Sequence, residues 1–510
     1  MILFILLILP FAGGLVSWLT GGWNKSAPRW AALITLVLEC ALTGYLWTIR
    51  PAAADHIAFG SWQKELLWAW VPAFGISFHL ALDGMSLLLV SLTAFLGVMA
   101  IAVSWNTPTR RPGFYHFLLL WIIAAMIGVF LALDLFLFYV LWELMLVPMY
   151  FLIAFWGSGN ARAAAIKFFI FTQVSGLLML IALLALYFAN GRATGDYSFD
   201  YSRMVLAALP SHTLWWAMAA FFVAFAVKLG IVPFHGWLPD AYAAAPPAGG
   251  LLLAGIMSKT GAYGFLRFMV PLFPIESASF SRVMMVLGII TILYGAFVAF
   301  AQSDLKRLIA YSSISHMGFA LLGIGAWNEP ALQGVVVQLL AHGVTIAALF
   351  MLAGSLYERI QSSDMDRMGG LWEIAPRMGA VMLLFVLATL GLPGLGTFIG
   401  EFLILLGSFY HSPIMAAVAT AGTILAVIYA LYTMRRVFQG PNQHSWRFAD
   451  LSRREILTFG LLIVAIVWLG IYPHTFMAES KGSIETLQNL TRPAAPDSTL
   501  PALPLYGERP

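Results

Sequence analysis

Residues 247–271 read PAGGLLLAGIMSKTGAYGFLRFMVP, an apolar run of membrane-spanning length with Lys259 about twelve residues from either end. A helix crosses the hydrocarbon core in roughly 20 apolar residues, and a charged side chain at its centre costs about 2.5 to 3.5 kcal/mol on insertion scales. A lysine that deep cannot easily snorkel to either surface. Gly255 and Ala262, at i−4 and i+3, leave its face small-sided, which suits burial against another helix. The stretch predicts a helix packed inside a membrane bundle, with its ammonium in a polar interior.

The rest of the chain reads the same way. Its 510 residues are 61% hydrophobic and 10% charged, with a mean hydropathy of +0.88, too little polar surface to clothe a soluble globule of this size. The net charge of +4 comes from 27 basic against 23 acidic residues. No cluster of five or six basic residues occurs, which argues against nucleic acid as a partner. One cysteine, Cys40, cannot make an internal disulfide, a CxxC pair or a thiolate-held iron–sulfur cluster. No nucleotide-binding glycine motif is present. The first twenty residues lack a basic leader and precede Lys25 and Arg29, so they are expected to be a retained span.

About fourteen spans are expected, at 1–20, 30–50, 80–104, 114–132, 134–156, 165–189, 213–231, 247–271, 283–301, 305–325, 331–357, 379–408, 414–437 and 455–474. With the N-terminus outward, 16 of the 27 basic residues fall on the cytoplasmic side, Arg110, Arg111, Lys306, Arg307, Arg435 and Arg436 among them. Nine, including Lys64, Arg203 and Arg267, fall on the other side, as the positive-inside rule requires. Both termini then face outward, and a loosely ordered, proline-dotted tail is expected over 479–510. Lys228 and Lys259 are the two left over, and both lie within spans.

Lys259 has company. Glu143 lies mid-span in LFLFYVLWELMLVPMY (135–150), Lys228 in FFVAFAVKLGIVP (221–233) and Glu401 in GLPGLGTFIGEFLILLGSF (391–409). His316 and His342 add titratable groups in the tenth and eleventh spans. Each has a plainer reading: a lysine can snorkel, a glutamate can cap a neighbour, and a lone histidine is commonly a packing residue. Together they favour an ion path. Pro233 follows Lys228 by five residues, and Glu401 follows a Gly-Leu-Pro-Gly run at 391–394, so two helices should be broken beside ionisable groups, as in ion transporters.

The two broken spans are the seventh and the twelfth, and an odd offset of five reverses the direction of the second unit. Lys228 and Glu401 are 173 residues apart, and the same shift carries Glu143 onto His316. Spans 4–8 and 9–13 are therefore expected to be inverted repeats, residues 114–271 and 283–437. Flanking them would be the first two helices with an outward loop (1–79), helix three with a cytoplasmic loop (80–113) and helix fourteen (455–474). A carboxylate beside a buried lysine stabilises the ammonium; when the pair separates, the proton can pass to the next acceptor. Glu143 and Lys228 would form such a switch, with Lys259, His316, His342 and Glu401 as successive stations joined by internal water.

The runs KLGIVPFHGWLPDAYAAAPPAGGLLLAGIMSKTGAYGFLR (228–267), SDLKRLIAYSSISHMGF (303–319) and GLPGLGTFIGEF (391–402) closely resemble the antiporter-like proton-pumping subunits of respiratory complex I. The resemblance covers roughly residues 80 to 475. It implies an all-α membrane fold of fourteen helices with two inverted five-helix units. It also implies proton translocation through Glu143, Lys228, Lys259, His316, His342 and Glu401 in a bacterial inner membrane. NADH-to-quinone electron transfer would belong to other subunits, with no cofactor or redox centre on this chain, and the sibling L and N types would be partners. Glu401, where those types carry lysine, and the short stretch after the last span set this chain apart from them. AAAPPAGG departs from the acidic residue and single proline usual after the seventh span. A subunit of a multi-subunit cation/proton antiporter or of a membrane-bound hydrogenase shares the same motifs. A haem protein held by His316 and His342, or a passive anchor, are the other classes.

Overall fold

The computed structural model of the chain describes residues 1–49, 62–107, 110–205 and 211–491. Arg50, Arg492 and Arg509 lie outside them. The first half runs α1 (Ile2–Thr20), α2 (Ala27–Thr48), α3 (Gly84–Val103), α4 (Pro112–Leu131), α5 (Leu135–Leu144), α6 (Leu146–Trp156), α7 (Ala161–Thr194), α8 (Tyr201–Met204) and α9 (Ser211–Leu229). Next come α10 (Leu238–Ala244), α11 (Pro247–Leu252), α12 (Ser258–Gly264) and α13 (Val270–Leu272). The second half runs α14 (Pro274–Phe300), α15 (Leu305–Ala326), α16 (Glu329–Ile360), α17 (Leu371–Ile374), α18 (Pro376–Thr389), α19 (Gly396–His411), α20 (Pro413–Val437), α21 (Arg453–Ile471) and α22 (His474–Thr491). Among the described residues, twelve helices are long and apolar enough to cross a membrane, counting Leu135–Trp156 as one. Two further apolar segments fall outside that count: 247–272, helical throughout but with two π-helical stretches, and 376–411, broken between Thr389 and Gly396.

The interruptions have local causes. Pro148 has no N–H to offer the Leu144 carbonyl and crowds it, so the fifth span divides at Met145, two residues past Glu143. α9 ends at a left-handed Gly230 (φ 83°), and its Val227 carbonyl accepts from the Trp237 indole at 2.9 Å instead of from a further turn. Gly391 and Gly394 (φ 75° and 97°) carry the chain between α18 and α19 through backbone that side chains rarely adopt. In the eighth span, Leu253–Met257 and Phe265–Met269 are π-helical.

Two parts differ from the sequence expectation. Residues 64–82 form a hairpin rather than a loop: β1 (Lys64–Val71) pairs antiparallel with β2 (Ile76–Leu82), turning at Gly75 (φ 63°). The third span therefore starts at Gly84, capped by Asp83, whose carboxylate accepts from Ser86 N at 2.9 Å. The loose tail expected from Glu479 is helical to Thr491, because Glu479, Ser480, Ser483, Ile484 and Leu487 form one buried face; the rest of that tail lies outside the described residues.

α4, α15 and α16 are enclosed by protein almost throughout, while α1, α2, α20 and α21 keep much of their surface outward. An apolar helix enclosed on every side belongs to a core, and His316 and His342 ride on two of these three. α16 and α19 meet backbone to backbone. A side-chain carbon on Gly400 would stand 2.7 Å from Gln338 Cα, and one on Gly334 would stand 2.7 Å from Ile404 N. Small residues at such a crossing let helices approach closely, and this one presses Glu401 against Gln338.

Candidate functional site

Three groups of polar side chains occupy the interior. The first is Glu143 with Lys228. Gly176 on α7 faces the Glu143 carboxylate, its missing side chain leaving the space the oxygens fill. Lys228 is buried, and its ammonium stands 4.6 Å from the Trp142 ring centre, a cation–π contact. The Lys228 nitrogen has no hydrogen-bond partner, and Gln173 of α7 is a polar neighbour of the Glu143 carboxylate. The two charges are within electrostatic reach of each other but do not form a closed ion pair.

The second group is Lys259 and His342, both wholly buried. The π-helical turn gives the Ser258 N–H to Leu253 rather than to Ala254. The Ala254 carbonyl so released accepts from Lys259 Nζ at 2.5 Å and from Ser258 Oγ at 3.1 Å. Lys259 Nζ also stands 2.7 Å from His342 Nδ1. As expected of its small-sided face, Gly255 packs against Leu96 and the Gly343 backbone.

The third group surrounds Glu401. His316 Nδ1 is 2.6 Å from Glu401 Oε1, and Gln338 Nε2 donates to the same oxygen at 3.1 Å. With Nδ1 donating, His316 Nε2 accepts from the Tyr429 hydroxyl at 3.1 Å. The rings of His316 and His342 lie 5.6 Å apart between centroids, which brings the second and third groups together. His342 Nε2, Ser313 Oγ and Thr345 Oγ1 have no partner at this junction. Ser313 and Thr345 sit three residues from the two histidines on the same helices. Orphaned buried polar atoms in such numbers are what internal water satisfies.

The structure thus brings Lys259, His342, His316 and Glu401 into one cluster and sets Glu143 and Lys228 in another, with no hydrogen bond from Lys228 to Lys259. Sequence reasoning missed Tyr429, Gln338 and Trp142, none of which is charged. It also passed over Glu39 on α2, fully buried with both oxygens unpartnered, although an acid in LVLECALTG carries the same signal as Glu143. Lys306, assigned to a cytoplasmic loop or helix end, is buried under the Tyr357 ring at 4.4 Å. Arg267, assigned to the opposite surface, is 2% exposed and paired with Asp83. Among the described residues no group of three His, Cys, Asp or Glu side chains has the arrangement of a metal site.

Polar joints hold the two ends of the bundle. At one end Asp240, on α10, accepts from Lys167 of α7 at 2.6 Å and from Arg307 of α15 at 2.7 Å. At the hairpin end His79 is held between Asp200 at 2.5 Å and Glu65 at 2.8 Å. Burial pushes its imidazole toward neutrality, but the two carboxylates outweigh burial and hold its titration point above the ordinary value.

Residues 132–428 match the family described as NADH:quinone oxidoreductase/Mrp antiporter, TM. NADH-quinone oxidoreductase subunit M of Pseudomonas aeruginosa is 49% identical over 499 residues, 96% of this chain and 97% of that protein. The subunit M of Escherichia coli is 48% identical over 492 residues, 95% and 97% of the two chains. A chain of the respiratory complex I of Thermus thermophilus with bound NADH superposes with a TM-score of 0.86 at 30% identity, over 96% of this chain and 99% of that one. A chain of the Mrp complex from Dietzia, 22% identical with a TM-score of 0.81, shares the fold over 52% of its own length. An all-α, multi-pass membrane architecture with these matches along nearly its whole length places the chain in the NADH:quinone oxidoreductase/Mrp antiporter family, among its subunit M members.

Proposed function

We propose that this chain is a proton-translocating membrane subunit of a bacterial NADH:quinone oxidoreductase. Electron transfer from NADH to quinone takes place in other subunits, and no cofactor or redox centre resides here. The antiporter or hydrogenase reading has less support, since the subunit M relatives align end to end at nearly half identity. The observation that carries the proposal is the buried contact of Lys259 with His342, 2.7 Å long, beside that of His316 with Glu401. A lysine enclosed without a carboxylate partner, touching a neutral acceptor, can give up its proton sideways.

In this reading Glu143 and Lys228 act as a switch. Their open separation is the state in which Lys228 is ready to release its proton; closure would hold the charge in place. Lys259 passes its proton through His342 and bridging water to His316, and Glu401 receives it. The 173-residue shift that pairs Lys228 with Glu401 supports two inverted five-helix units and fourteen spans. Both termini and the hairpin face outward, the chain sits in the inner membrane, and the sibling L and N types flank it. Proton uptake by inverted vesicles driven by NADH tests the core of this. Glu143→Ala and Lys259→Ala are each expected to abolish or severely lower uptake in an assembled complex, and undiminished uptake in Glu143→Ala would refute it.

A further inference from the structure

Lys259, Tyr263 and Arg267 follow one another at intervals of four, on one face of the eighth span, toward the hairpin end. Arg267 lies eight residues, about 12 Å along a helix axis, from Lys259. It is 2% exposed and paired with Asp83, the cap of α3. Its Nε donates to the Tyr263 hydroxyl at 3.3 Å, and its guanidinium lies 5.3 Å from the Trp62 ring centre. The Tyr263 hydroxyl in turn bonds the Phe130 carbonyl at 3.0 Å. α22 covers the same end: Met85 N donates to Ser483 Oγ at 3.2 Å, and Gly84 lies hard against the Glu479 backbone.

The Lys259 ammonium turns back to the Ala254 carbonyl and His342, but water bridging it to Tyr263 would short-circuit a pump unless something closed that route. A group can hand a proton onward only if it both accepts and releases one. Arg267 cannot, because a guanidinium stays protonated at every working pH. Tyr263 is a poor relay: its oxygen receives from Arg267 at 3.3 Å, and its one proton can go to the Phe130 carbonyl at 3.0 Å or the Ser86 hydroxyl at 3.2 Å. The guanidinium holds both the Tyr263 oxygen and Asp83, so an excess proton reaching Tyr263 from Lys259 meets fixed positive charge before it reaches the carboxylate. A single buried cation used in this way excludes protons from a pore.

We propose that Arg267, held by Asp83, Tyr263 and Trp62, is an electrostatic plug that closes the hairpin end of the Lys259 span to protons and so directs them toward His342. Arg267 is a positioning and barrier residue, not a station. The inference rests on the proton-translocation reading above.

The test uses the whole complex in liposomes loaded with a pH-sensitive dye. Without NADH, a potassium diffusion potential drives protons, and the passive leak is measured. Arg267→Gln removes the charge and is expected to raise the leak by about tenfold, the factor one charge contributes over this distance at an effective dielectric near 20. Arg267→Lys keeps the charge and stays tight. Asp83→Asn breaks the same pair but leaves the cation, so it also stays tight; a merely structural pair would leak in both Asp83→Asn and Arg267→Gln. Arg267→His gives an independent reading, with a leak small at acid pH, where the imidazole is charged, and rising as the pH climbs. A tight Arg267→Gln complex, equal leaks in the glutamine and asparagine variants, or a leak through Arg267→His that does not change with pH would each overturn the plug. NADH-driven uptake by Glu143→Ala, assayed alongside, separates the two ideas: if it pumps normally the underlying reading fails, and if it does not, a tight Arg267→Gln fails the plug alone.

Discussion

At the scale of single residues, the interior separates buried charge with partners from buried charge without. Glu401 has two donors and Asp83 has a guanidinium, whereas Glu39 has nothing. A buried carboxyl with no partner is a cost that an apolar group of similar shape removes. Glu39→Met is therefore expected to raise the thermal unfolding temperature of the assembled complex, with NADH oxidation unchanged; a lowered midpoint would reveal a role for the acid. The sequence singled out the six candidate residues because each is ionisable in an apolar run. It did not show Tyr429 or Gln338, since uncharged polar residues are ordinary in membrane helices and only the fold places them on His316 and Glu401. Nor could it show that Lys228 and Glu143 stand apart, because spacing fixes a helical face but not the side chain's reach.

At the scale of elements, helix breaks were legible where Pro or Gly caused them, at Gly230–Pro233 and at 391–394. The π-helical turns beside Lys259 were not, because the one glycine of LAGIM is tolerated within a helix and FLRFM holds no breaker. One of them supplies the Ala254 carbonyl to the ammonium. The contact of α16 with α19 makes a second prediction. Gly400→Ala would drive a methyl group into the Gln338 backbone, at a cost of about 1 to 3 kcal/mol typical of overpacking, and the yield of assembled complex should fall. An unchanged yield would mean that the two helices can part without penalty.

The hairpin makes a third. Its alternating LLWAWV and ISFHLAL runs are readable as strands in retrospect, but apolar runs beside membrane spans merge with them. His79 ties it to Asp200, and its titration point in the folded state is raised above that of the unfolded chain. The stabilisation it gives is therefore complete below the ordinary imidazole range and is lost as pH rises through the raised value. Amide exchange in β1 and β2, corrected for intrinsic chemistry, should quicken on alkalinisation in the native protein and lose that extra pH dependence in His79→Leu. Equal profiles for the two would sink the latch.

At the scale of the whole molecule, composition alone settled that lipid is the solvent, and the basic-residue asymmetry gave an orientation to test. Cys40 is the chain's one cysteine and lies within α2, so introduced thiols report cleanly. Lys64→Cys on the hairpin should react with a membrane-impermeant maleimide added to right-side-out spheroplasts, and Arg454→Cys should not. The reverse pattern would invert the topology. What the sequence could not give was the division of labour between the two ends, since that depends on which distant charges meet.

Asp240 is the plainest case. It binds Lys167 from the first half of the chain and Arg307 from the second, so one carboxylate serves as a shared bearing. Should either pair open, the acid keeps the other cation, and only the freed side chain, itself partly exposed, has to turn to water. Loss of one strand of this tether therefore leaves the two halves of the chain with the acid still anchored to one of them.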